Sequence, residues 1–162
     1  MIGRLTLAKT LVIVAAEERG RGIGRIRLAR IPDLSKPTLH GFIGQAIEPG
    51  SVVRTDGLPA YGEPAGYQHK PIVVRRRAQP ANELLPRVHL VVSLLKRWLM
   101  GTLHGAVRPD HLDYYLDEFT FRFNRRTSAS RGKLFYRLLQ QAVQVSPHPY
   151  RDIIRPQGVG GS

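Results

Sequence analysis

Two short segments carry side chains whose types could do chemistry. Residues 52–57 read Val-Val-Arg-Thr-Asp-Gly, which sets Asp56 where a β-branched run meets a glycine. An acid at such a junction sits at the end of a sheet, where open α/β domains bind and transform ligands. Asp-Gly is also a strong turn pair, and the local sequence by itself favours a plain turn. The second segment is apolar at residues 84, 88, 91, 95 and 98, one face of a helix. His89 and Lys96 lie seven residues apart on it, about 20° from each other around the axis and at the margin of the apolar stripe. An imidazole there can ligate a metal or shuttle a proton, and an ammonium can hold a phosphate. The alternative is a half-buried histidine beside a lysine whose stem merely covers apolar surface.

The remaining chemistry is cationic. The 162 residues carry 25 Lys and Arg against 12 Asp and Glu, a formal charge of +13, and 20 of the cations are arginine. Guanidinium groups grip phosphate in two places, so a polyanion, and nucleic acid first, is the expected partner. Arg75, Arg76 and Arg77 form one cluster; Arg122, Arg125 and Arg126 form another, interleaved with Phe119, Phe121 and Phe123. These arginines are candidates for backbone phosphate, whereas Phe119 and Phe123 stand at core spacing. Composition alone also fits a basic RNA-associated protein. Gly20-Arg21-Gly22-Ile23-Gly24 matches neither the dinucleotide fingerprint nor the phosphate-loop pattern and reads as a hairpin turn flanked by arginine. There is no cysteine, which excludes zinc ribbons, iron–sulfur clusters, disulfides and thiol nucleophiles in this sequence. The apolar run 11–16 is far shorter than a membrane span. It reads as a buried strand rather than a signal peptide, and a cytoplasmic location follows as an expectation.

These residues need a scaffold. Strands are expected over 10–16 and 23–31, joined by the glycine turn, with others over 51–55 and 71–74. A helix capped by Asp33 or Ser35 carries Leu39, Phe42, Ile43, Ala46 and Ile47 inward and stops at Pro49-Gly50. Helices follow from residue 80 to about Gly101, from Pro109 or Asp110 to near Asn124, and over 132–145. Residues 1–145 are expected to form one α/β domain with a mixed sheet and flanking helices, and 146–162 a loose tail.

Read in order, residues 24–35 (GRIRLARIPDLS), 50–57 (GSVVRTDG), 93–102 (SLLKRWLMGT), 115–126 (YLDEFTFRFNRR) and 131–143 (RGKLFYRLLQQAV) resemble the ISXO-type insertion-sequence transposases. These are DDE-superfamily enzymes with a ribonuclease-H-like domain, and the resemblance spans about residues 5–143. It implies cleavage and transfer of double-stranded DNA at element ends, by a homo-oligomer using two Mg or Mn ions. It matches Asp56 to the second catalytic aspartate and His89, 33 positions on, to the third catalytic position, both as metal ligands. Lys96 matches a DNA contact near the reacting phosphate. The family's first aspartate lies on a first strand, and no Asp precedes Asp33 here. Glu17 and Glu18, at the end of the next strand, are poor substitutes. The resemblance therefore implies a chain truncated at its N-terminus, its first strand missing and the sheet open beside residues 10–16, hence poorly soluble or dimeric alone. The expected function is strand cleavage and transfer by this catalytic-domain portion; the alternative is an inactive remnant that binds DNA or interferes with intact transposase.

Overall fold

The computed structural model describes residues 2–7, 10–72, 85–103 and 109–144. They divide between two compact units, residues 1–124 and 125–162. The first is a mixed α/β arrangement, compatible with the ribonuclease-H-like expectation. Strands β1 (Ile2–Leu7), β2 (Thr10–Arg19) and β3 (Gly22–Ile31) form an antiparallel sheet in that order. Helix α1 (Lys36–Ala46) follows, then β4 (Val52–Thr55) and β5 (Gln68–Pro71), a parallel pair. Helices α2 (Pro86–Leu103) and α3 (Leu112–Asn124) complete this unit.

The pleat of β2 divides the core in two. Val12, Val14 and Ala16 face one side, packed with Ile26 of β3, Val88, Val91, Val92, Leu95 and Leu99 of α2, and Leu112, Leu116, Phe119 and Phe123 of α3. Ile13 and Ala15 face the other, packed with Ile2, Ile31, Val53, Tyr61 and the α1 residues Leu39, Phe42 and Ile43. Alternation of apolar residues on both faces is what a strand sandwiched between helical layers requires. Trp98 joins α2 to α3 through Tyr115 and Phe119, at centroid separations of 6.4 and 5.8 Å. Helix α1 begins where Asp33 accepts hydrogen bonds from the Ser35 amide (2.9 Å) and the Thr38 hydroxyl (2.8 Å). The Ser35 side chain above all, then the Ser35 amide and the Thr38 side chain, hold the Asp33 carboxyl below its ordinary range. Ser35 occupies the cap position, but its hydroxyl bonds Thr38 rather than a backbone amide.

Four expectations are corrected here. The place beside β2 is filled: β1 pairs with it from Ile2↔Ala15 to Leu7↔Thr10 and also contacts β4. The expected vacancy does not arise, and the argument for insolubility that rested on it falls with it. Gly3 and Arg4 break the apolar run that would have marked β1. The strand expected over 71–74 lies earlier, at Gln68–Pro71, in a polar stretch where His69 and Ile72 are half-buried and Gln68 and Lys70 exposed. Residues 73 and 74 fall outside the described residues. Gly101 does not end its helix, since α2 continues to Leu103. The strand expected to stop at residue 16 runs on to Arg19, carrying Glu17 and Glu18 into the sheet's end.

In the second unit, helix α4 (Arg131–Ala142) turns Phe135, Leu138 and Leu139 to solvent, followed by exposed Val143. Residues 145–162, including the expected tail, lie outside the described residues. Among the described residues no helix is long and apolar enough to cross a membrane.

Candidate functional site

Asp56 directly follows β4, whose last residue, Thr55, is completely buried. The Thr55 hydroxyl is hydrogen-bonded to His69 Nε2 of β5 at 2.9 Å and accepts the Gly57 amide at 3.4 Å. Gly57 has φ +75°, a left-handed conformation that costs glycine nothing. Asp56 Oδ1 accepts the Leu58 amide at the outer limit, 3.5 Å. The Asp-Gly pair makes a turn, and that turn places a half-buried Asp56 at the strand's end.

His89 lies in the first turn of α2, its amide donating to Leu85 O at 3.0 Å, and is half-buried beside core residue Val88. Lys96, two turns on, is exposed. The heptad spacing puts both at the margin of the apolar stripe; His89 is half-buried there, whereas Lys96 is fully on the solvent side.

Sequence reading missed what joins these two segments. Arg54, two residues before Asp56, reaches Glu18 at 3.2 Å; Arg87, two residues before His89, reaches the same carboxylate at 3.1 Å. Arg87 also donates to Gly20 O at 2.6 Å. One carboxylate at the end of β2 thus gathers β4, the β2–β3 hairpin and the first turn of α2. No local signal could reveal this, because the partners stand 36 and 69 positions from Glu18. Pleat alternation offered one hint: with Val53 and Thr55 buried, Arg54 must face the other way.

Arg122 is exposed on α3 and held by Glu118 one turn earlier, at 2.6 and 2.9 Å. Arg125 and Arg126 open the second unit. Arg75, Arg76 and Arg77 lie outside the described residues.

A two-ion centre needs several hard oxygen donors around each cation. Described strand β1 reads Ile-Gly-Arg-Leu-Thr-Leu and offers no carboxylate. Glu18 is engaged by two guanidinium groups. Among the described residues no group of three or more His, Asp or Glu side chains could hold a metal ion. Asp56 and His89, the two expected ligands, do not make up a two-ion donor set.

Compared with known proteins, the chain matches a family model described as an ISXO2-like transposase domain over residues 2–124, a span that ends where the first compact unit ends. No curated protein and no solved structure matches it.

Proposed function

The chain belongs to the ISXO2-like transposase domain family, and from that membership we propose that it binds the double-stranded DNA of insertion-sequence ends without cleaving it. The observation that carries this reading is the state of Glu18. The one carboxylate that β2 brings to the junction of β4 and α2 is neutralised by Arg54 and Arg87. Family members generally use divalent metals, but the donors described here do not fit such a site, and no step is routed through one.

What these residues can do is bind. Lys96 projects from the exposed side of α2 and meets a phosphate as a point charge, while Arg122 is partly neutralised by Glu118 and contributes less. Arg125, Arg126 and the cluster Arg75 to Arg77 add to the positive field that draws DNA in. The Asp56 carboxylate repels a phosphate placed directly on it, so a bound backbone runs past the turn at Asp56 rather than over it.

Strand cleavage and transfer is the second reading, favoured by Asp56 and His89 each lying two residues beyond an arginine that shares Glu18. In that reading both are ligands of a catalytic metal, or His89 relays a proton. The two readings part in a single experiment. Duplex carrying terminal inverted repeats is mixed with the full chain in Mg, in Mn, and in chelator. Binding should be equal in all three with no nicked or joined product. Mg- or Mn-dependent product that disappears in Asp56→Ala overturns the binding-only reading in favour of cleavage.

A further inference from the structure

We propose that the end of the β2–β3 hairpin is a second DNA-docking surface, on which Arg19, Arg21, Arg25 and Arg27 hold the phosphate backbone of a duplex; this rests on the DNA-binding reading above. All four are exposed. Neighbouring arginines are spoken for: Arg30 is paired with Asp113 at 2.7 Å, Arg54 and Arg87 with Glu18, and Arg122 with Glu118. Arg19, Arg21, Arg25 and Arg27 make no ion pair among the described residues. Their field is left over for a partner.

Local geometry keeps them so. Arg19 pairs with Gly22, closing a two-residue turn at Gly20-Arg21 in which Gly20 has φ +55°. The register then slips: Ala16 faces Ile26 but Glu18 faces Ile23, which leaves an extra residue in β3 around Gly24 and Arg25. Such a bulge re-aims the side chains beside it. Glu17 secures the bulge by accepting the Arg25 backbone amide at 2.8 Å, so its carboxylate is engaged with the backbone rather than with a guanidinium. A Cβ at position 24 would lie 2.4 Å from that carboxyl, so a side chain there would displace the Glu17 carboxylate from its place on the bulge. Arg87 fixes the turn to α2 through Gly20 O.

A two-stranded ribbon of this kind is narrow enough for a major groove about 12 Å wide. Arginine is the side chain whose fork meets phosphate in two places, and here the ribbon that carries it is already ordered before DNA arrives. Because Glu18 and Arg87 join the hairpin to the segments bearing Asp56 and His89, DNA gripped by the hairpin is delivered beside those residues.

The test uses the full chain, a fluorescent 30-base-pair DNA duplex of arbitrary sequence, and a salt titration; that length is roughly three helical turns. Each phosphate contact adds about 0.9 to the slope of log affinity against log salt. R19Q/R21Q/R25Q/R27Q should lower the slope by about 3 to 4 and weaken binding roughly a hundredfold or more in dilute salt. The four-lysine version keeps the charges and should retain most of the slope. K36Q/K70Q/K133Q/R137Q removes as many exposed cations elsewhere and should cost clearly less. Circular dichroism checks folding; if the glutamine variant unfolds, Arg21→Gln alone at the turn should still lower the slope by about 1. An unchanged slope in the hairpin variants, or an equal loss in the control variant, overturns the proposal while leaving DNA binding standing. No DNA binding by the unaltered chain overturns the parent reading instead. Hairpin-dependent binding of a duplex RNA but not of DNA overturns the choice of partner.

Discussion

At the scale of single residues, a hydroxyl with no exposure to water decides how the Asp56 turn is held. Thr55→Val keeps the shape but strips His69 of its partner and the Gly57 amide of an acceptor. The expected loss is about 1–2 kcal/mol, read as a lower urea midpoint with unchanged slope; an unmoved midpoint would mean that this oxygen holds nothing. Asp117 makes a prediction of opposite character. Although Asp117 is exposed overall, partial desolvation of its carboxyl, and secondarily the charge of Asp113, raise it above the ordinary range. As pH rises the unfolded chain ionises first, so stability falls between the ordinary value and the raised one, and the penalty is complete above it. Asp117→Asn should therefore raise the melting temperature slightly at neutral pH, within about 0.5 kcal/mol, and not at pH values below that window. An equal effect at both pH values would refute the assignment to charge. The places of Asp56 and His89, a strand end and a helix margin, were legible because those are local patterns, whereas the roles expected of them rested on the resemblance. Glu18 was not, because its role depends on two distant guanidinium groups that only the fold brings to it.

Among elements, the edge of β3 shows how a distant side chain completes a sheet. Asn124, the last residue of α3, accepts the Ile26 amide at 2.7 Å and donates to the Ile26 carbonyl at 3.0 Å, reproducing both bonds a neighbouring strand would make. Asn124→Ala should cost about 1–3 kcal/mol by denaturant unfolding, since it leaves both backbone groups of a buried position unpaired. Asn124→Asp should not restore stability, because it keeps the acceptor and loses the donor. Elements with strong periodicity were readable at once: α1, α2 and α3 each carry an apolar stripe, and β2 and β3 a β-branched or alternating run. Those with mixed content were not. β1 is interrupted by Gly3 and Arg4, and β5 is nearly all polar, its place owed to the parallel pairing of Val52 with Gln68 through Thr55 with Pro71. Strand pairing is a property of two segments, and a single segment's composition reports it poorly.

For the molecule as a whole, charge and surface govern behaviour. The excess of 13 positive charges should make the proposed DNA binding steeply dependent on salt. The resemblance implies a homo-oligomer, and we propose α4 as its contact surface: Phe135, Leu138 and Leu139 are 65%, 49% and 47% exposed, and Val143 83%. Isolated apolar residues are ordinary on a surface, but a contiguous stripe on one helix is not. Pairing of this stripe between copies should give a sedimentation mass that rises with concentration. Leu138→Gln with Leu139→Gln should return the chain to monomer, and an unchanged mass would dismiss α4 as the contact. The clasp between Asn124 and Ile26 has one further effect. Since it closes the loop between positions 26 and 124, a shortened gene retaining codon 124 should still encode a self-contained module. Stopping one codon earlier would discard the staple and leave a sticky ribbon edge.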